Sequence, residues 1–469
     1  MTSQGFIRAI AAATLAAVLV VFTLMALPAQ ADDSPAPPAQ TIKSFTLDNG
    51  MQVVLVPDNR SPVVVHMVWY DAGAVDEPEG QTGIAHMLEH MMFKGTDNVP
   101  PGEFSKRVAK LGGRDNAFTG QDYTAYYQKI GRDNLTQVVE LEADRIANLN
   151  ISDEHFQPER DVVLEERSSR TDNNPIALFY EKFNHYHFPD HPYGDPIIGW
   201  RKDIENYTLE NAIDWYKKFY APENAIVVFA GALAMDEAQW LTSRYYGGLE
   251  NPAVKPERPE ITPQPLFEAP KRFEHTDPRA QLPLFVRSYR APGLHAGIAG
   301  ADAPSQKDAA ALLILADVLG GGLTSRLYQT LVMDRELADS ARAGYRPLQR
   351  YEASLSVIVQ PREGVRVKKI ERAVNKVIED FLDEGLTEDE LKRVKMQAKS
   401  ADVFARDDLF QAAYRLGQWL TVGGTIESYQ NWLDSIEAVT VADVRRMANL
   451  VLNREQSTTG ILHPGEGQQ

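Results

Sequence analysis

Three residues of the stretch GIAHMLEH, residues 83–90, could do chemistry together: His86, Glu89 and His90. Two histidines four residues apart stack on one face of a helix. Imidazoles so placed can close on a single Zn2+. Glu89 lies beside the pair, within reach of a water whose pKa such an ion would lower toward about 7. A carboxylate there can take that water's proton. Five residues alone fit equally well an amphipathic helix that turns His and Glu to solvent, so a further ligand must be found.

Zinc needs a third protein ligand, normally distant in sequence. The candidates lie in PERDVVLEERSSR, residues 158–170. Pro158 suits a first helical turn. On a helical wheel Glu159, Val162, Val163 and Glu166 share a face, and Glu165 points away from it. A carboxylate beside two valines should be desolvated, and is costly without a partner. A metal would be that partner, which selects Glu166 as third ligand. Glu159, two turns earlier on the same face, is expected to stand behind the ligands and orient them.

These residues must be positioned by regular elements. Residues 44–57 alternate and turn at Asn49-Gly50, a hairpin signal. Residues 62–73 and 224–233 read as further strands, and DNAFT, 115–119, as another. Helical patterns are predicted around 80–95, 101–111, 133–149, 156–170 and 208–219, with 171–199 irregular. In IEDFLDEGLTEDELKRVK, Gly385 and Thr387 read as C-cap and N-cap of successive helices.

The chain repeats itself faintly. The segment from Trp200 and the segment from Trp432 share Trp, Ile-Glu and Thr at a constant offset of 232 residues. Pro-rich sequence divides the halves. The expected fold is α+β, with two homologous domains of sheet and helices at 43–250 and 267–469, joined by a linker at 251–266.

The first 31 residues differ from the rest: Arg8 is the only charge, an apolar run follows, and Ala29-Gln30-Ala31 is a small-x-small cleavage pattern. They read as a secretory signal peptide, ahead of a flexible spacer at 32–42, so a periplasmic or secreted protein is expected. A retained membrane anchor is the alternative. With no cysteine among the 469 residues, disulfides, thiol nucleophiles and thiolate metal sites are excluded. A net charge of −17 argues against nucleic acid.

With both stretches in view, the chain resembles the pitrilysin/insulinase family of zinc peptidases, in its mitochondrial-processing-peptidase-like branch. GIAHMLEHMMFKGT is similar to the family signature, an inverted form of H-E-x-x-H. The similarity continues through GGRDNAFTGQDYTAYY (112–127), ERDVVLEE (159–166) and HPYGDPIIG (191–199). The resemblance implies a clamshell of two homologous domains closing around a peptide. It implies one zinc at His86, His90 and Glu166, with Glu89 as general base and Glu159 as an additional acidic group near the metal. In the family the segment matching DNAFT is a sheet edge that receives substrate as an added strand. Asn116 and Phe118 are then candidate substrate contacts, with core packing the alternative for Phe118.

The second half departs from the family pattern. One-chain members carry an Arg and a Tyr seven residues apart after a Gly-Gly and Ser-Arg-Leu stretch. Here Gly320–Gly322 and Ser325-Arg326-Leu327 are present, but Val332 and Asp339 stand where that pair belongs. Losing the pair should cost transition-state stabilisation. Either Arg335, Arg342 or Tyr345 substitutes, or a homologous partner subunit supplies the pair, and the partner is the expectation. The reading is a zinc endopeptidase working as the catalytic subunit of a heterodimer. Its rival is a non-catalytic assembly subunit of the same fold. HYHFPDH, 185–191, reads as a loop without metal, and His66, His275, His295 and His463 as ordinary residues.

Overall fold

Short β-branched runs form the strands of this chain, and Asn49-Gly50 turns the first of them. The computed structural model describes residues 41–251, 258, 261 and 263–465. The leader and most of the Pro-rich linker lie outside them. Strands β1 (Lys43–Thr46) and β2 (Gln52–Pro57) meet at Gly50, whose φ of 87° lies in the left-handed region. With β3 (Val63–Tyr70), β4 (Arg114–Thr119), β5 (Thr124–Gly131) and β6 (Ala225–Gly231) they form a six-stranded sheet in the order β1-β2-β6-β3-β5-β4. A second sheet is built from β7 (Lys271–Asp277), β8 (Leu284–Ala291), β9 (Ala338–Tyr345), β10 (Ala353–Pro361) and β11 (Ser457–Pro464), ordered β7-β11-β8-β10-β9. Without β1 the two orders are the same. Each sheet has one parallel pair, β2 with β6 and β7 with β11, among antiparallel ones. The fold is mixed α+β, as expected.

The helices that matter for the site are α1 (Ile84–Met91), α2 (Leu135–Ala147), α3 (Asp153–Arg167), α4 (Pro175–His187), α5 (Leu209–Phe219), α6 (Gln306–Gly320), α7 (Glu388–Asp407), α8 (Leu409–Thr421) and α9 (Val441–Val451). The repeat read from the two tryptophans lands on structure. Helix α5 leads into β6, and 232 residues later α9 leads into β11, with both helices starting and ending at that offset. Thr208 and Thr440 cap them in the same way, each accepting from the third helical residue. Gly385 and Thr387 also cap as expected.

The expectation of irregular chain at 171–199 is wrong, because α4 runs through it. Asn174 accepts from Ile176 N and Ala177 N at 3.1 and 3.2 Å, and Pro175 takes the first helical position. Ile176, Phe179 and Phe183 then recur at helical spacing, a signal hidden by the His-rich end of the helix.

Each half lends a helix to the other. The first sheet packs α1, α2, α3 and α5 on one face. Its other face carries α8, whose Leu409, Ala413, Leu416 and Leu420 meet Val65, Met67, Trp69 and Val228. Gly417 lies so close that a Cβ would stand 2.1 Å from Trp69 Cε2. Reciprocally, α4 lays Phe179 and Phe183 on Leu284, Val286 and Leu462 of the second sheet. There a Cβ on Gly460 would stand 2.4 Å from Phe183 Cδ2. Arg350 adds a charged tie to Asp71 and, at 3.5 Å, to Asp76. Arg258 joins the same two carboxylates at 2.6 and 3.0 Å.

Candidate active site

Helix α1 is anchored before it presents any chemistry. It begins at Gly83, with φ 87°. A Cβ there would stand 2.4 Å from Ile198 O, so the HPYGDPIIG segment packs directly on the helix start. Glu77 accepts from Gly83 N at 2.6 Å and Ala85 N at 2.9 Å, capping the first turn where the helix dipole favours an anion. Ile84, Ala85, Met87, Leu88 and Met91 go to the core. That leaves His86, Glu89 and His90 toward α3 and β4.

Helix α3 brings the carboxylates. His90 Nε2 is 3.3 Å from Glu166 Oε2, and His86 Nε2 is 3.9 Å from Glu166 Oε1. The donor atoms of His86, His90 and Glu166 all lie within 4.8 Å of one another, the one such group among the described residues. On its other side His90 Nδ1 is 2.9 Å from Glu159 Oε1. That contact fixes the ring and leaves Nε2 to face Glu166.

The electrostatics suit a cation. Burial holds His86 down to a pKa of about 3, helped by the charges of His90 and Arg170, so its ring is neutral at pH 7. Its Nδ1 is buried without a hydrogen-bond partner, and its Nε2 is beyond hydrogen-bond reach of Glu166. Burial pulls His90 down as well. The Glu159 hydrogen bond and the charges of Glu166, Glu159 and Glu89 outweigh it and hold His90 above its ordinary value. Two imidazoles and a carboxylate, converging with that surplus of negative charge, fit one divalent metal.

Glu89 Oε2 accepts from Thr119 Oγ1 at 2.5 Å. Burial pushes the Glu89 carboxyl up; Thr119 and His90 pull it back only in part, so it stays above the usual carboxylate value. Thr119 ends β4, and β4 is the outer strand of its sheet. Gly120 N donates to Tyr123 O and Phe118 faces Ala125, so the antiparallel alternation turns the Ala117 N–H outward. Asn116 Oδ1 accepts from that group at 2.9 Å.

The Phe118 ring packs 5.3 Å from both Trp69 and Tyr414, half-buried on the sheet face that α8 covers, which favours the packing alternative for its side chain. One expectation needs correction. Val162 is 48% exposed, so Glu166 does not lie against two buried valines. Val163 alone is buried there, because α3 packs through Phe156, Val163 and Arg167.

In the second half, Val332 is buried in the core and Asp339 is exposed, 3.7 Å from Arg362 Nε. The Tyr345 hydroxyl is engaged, donating to Pro292 O at 2.6 Å. His185 and His187 lie in α4, and His187 bonds Thr458 and Ser354 hydroxyls at 2.8 and 3.0 Å. Sequence reasoning missed Glu77, Thr119, Lys94 and Arg170. Lys94 pairs with Glu159 and Arg170 with Glu166. Lys94 follows His90 by four residues and Arg170 follows Glu166 by four, the one spacing that could have signalled them.

Comparison with known proteins now decides the family. The model described as insulinase, peptidase family M16, matches residues 52–199, and the one described as peptidase M16 inactive domain matches 206–398. The chain belongs to the M16 peptidase family. The zinc protease PqqE of Helicobacter pylori is 32% identical over 90% of this chain and 93% of its own. The M16 fold is seen in the crystal structure of a protease from Helicobacter pylori, with TM-score 0.84 and 30% identity over 91% of this chain and all of that one. Pitrilysin shares the fold at TM-score 0.72 and 17% identity, and this chain spans 46% of its length. Among the described residues no helix is long and apolar enough to cross a membrane.

Proposed function

We propose that this M16 chain is a zinc-dependent endopeptidase acting on extended peptides or unfolded segments. The convergence of His86, His90, Glu166 and Glu89 at the end of an open sheet edge carries the reading. His86, His90 and Glu166 hold one zinc, and Glu159 orients His90. Bound there, zinc supplies Lewis acidity toward a carbonyl and toward water. Glu89 takes the proton from the attacking water on the oxygen that Thr119 leaves free, and its raised basicity suits that task. The substrate adds to β4 as a strand, its carbonyl accepting from Ala117 N in place of Asn116 Oδ1. Asn116 then swings outward beside the peptide.

The oxyanion is stabilised by an Arg/Tyr pair of a homologous partner subunit, in a heterodimer where this chain is the catalytic member. The burial of Val332 and the engagement of the Tyr345 hydroxyl favour that over a pair within this chain. The leader directs the chain out of the cytoplasm, to the periplasm or beyond. The test is cleavage of a mixed peptide library by the chain from Asp32 onward, loaded with one equivalent of zinc, alone and with the homologous subunit. Cleavage that appears with the subunit and vanishes in Glu89→Gln supports the whole reading. Full cleavage by the chain alone removes the partner. No cleavage in either case leaves an assembly subunit.

A further inference from the structure

Both carboxylates around His90 are divided between a histidine and a cation. Glu166 turns Oε2 to His90 Nε2 and Oε1 to Arg170. Glu159 turns Oε1 to His90 Nδ1 and Oε2 to Lys94 Nζ. The two cations differ in setting. Arg170 is 73% exposed, on a π-helical turn that follows α3, and an exposed pair four residues apart contributes little. Lys94 is 29% exposed, packed in the turn where its N–H donates to Met91 O at 2.9 Å, and Glu159 is only 8% exposed. A buried carboxylate that loses one partner is left with an unsatisfied oxygen at substantial cost.

We infer that Lys94 is a positioning residue of the metal centre. It fixes the Glu159 carboxylate so that Oε1 holds His90 Nδ1, and through it the ring whose Nε2 faces Glu166. Without the ammonium, the Glu159 carboxylate is free to turn, and His90 loses its fixed orientation. The inference rests on the zinc reading above. Lys94 touches neither metal nor substrate, so its effect must appear in metal affinity before it appears in rate.

The experiment is zinc affinity by competition with a chromogenic chelator, on the whole chain from Asp32 onward, with thermal unfolding of each zinc-free variant as the control for folding. Lys94→Met should weaken zinc on the order of 10–100-fold, as Glu159→Gln does, the range expected for a group behind a ligand. The double variant should be no weaker than either single one, and Lys94→Arg should recover most of the loss. Arg170→Met should stay within about threefold of wild type. Wild-type affinity in Lys94→Met, or additive losses in the double variant, overturns the inference. A wild-type chain that binds no zinc sinks the zinc reading itself, and that result is distinguishable from the others.

Discussion

The two halves of this chain are built alike and used differently. Helix α1 lies between β3 and β4, and α6 holds the same place between β8 and β9. Helix α1 buries one side and gives the other to His86, Glu89 and His90. Helix α6 reads QKDAAALLILADVLG and buries Ala309 to Leu312, Ile314 to Ala316, Val318 and Leu319. In the second half the middle of that helix is filled by apolar core residues. The difference shows what a site asks of a fold. Titratable groups must occupy positions a core would fill with Ala or Leu, and their desolvation has to be met by neighbours such as Glu159, Thr119 and Lys94.

The largest effect that would sharpen the comparison is Glu89→Gln. Peptide turnover should fall by roughly 10²–10⁴ or more while bound zinc is retained. Turnover that persists would return α1 to the status of α6. Next come the two exchanged helices, α8 and α4. Gly417→Leu pushes a side chain into Trp69, and Gly460→Leu pushes one into Phe183. Each should cost about 1–3 kcal/mol by overpacking, read as a lowered urea midpoint. Equal losses mean that the halves lean on each other equally, and a loss at only one of them breaks the symmetry.

The smallest effect is a pH dependence confined to one of these contacts. Burial holds His187 at a pKa of about 3, with the charges of Arg290 and Lys271 adding to it, against 6.5 for a free imidazole. The unfolded chain therefore binds a proton that the folded chain refuses between those values. Stability from this group is complete above about pH 6.5 and is lost as pH falls toward 3. Between pH 7.5 and 5.5 the loss should be about 1 kcal/mol, and His187→Gln should remove that slope. Gly417 of α8 meets the Trp69 indole, so Gly417→Leu should cost the same at both pH values.

Much of this was legible in the sequence, and the failures have physical causes. The hairpin at Asn49-Gly50, the caps at Gly385 and Thr387, and the offset of 232 residues between the halves are local signals, written in turn residues and periodicity. The stacking of His86 and His90 was readable because four residues is about one helical turn, whereas Glu166 was selected on a face of two valines of which only Val163 is buried. Helix α4 was missed because its end is rich in His and flanked by Pro, although Asn174-Pro175 announces its start. Phe118 stayed open between substrate contact and packing because strand alternation gives two faces without saying which one another helix will cover. Glu77, six residues before Gly83, leaves no sequence pattern, since only the folded loop returns its carboxylate to the start of α1.

What separates the halves most is the metal centre proposed for the first and, among the described residues, matched by no such group in the second. Its most direct test is the metal content of the purified chain after exhaustive dialysis in limiting zinc, beside Glu166→Gln. One equivalent of zinc is expected in the wild type, and its loss in the variant. An equivalent that stays in Glu166→Gln would place the metal elsewhere and contradict it.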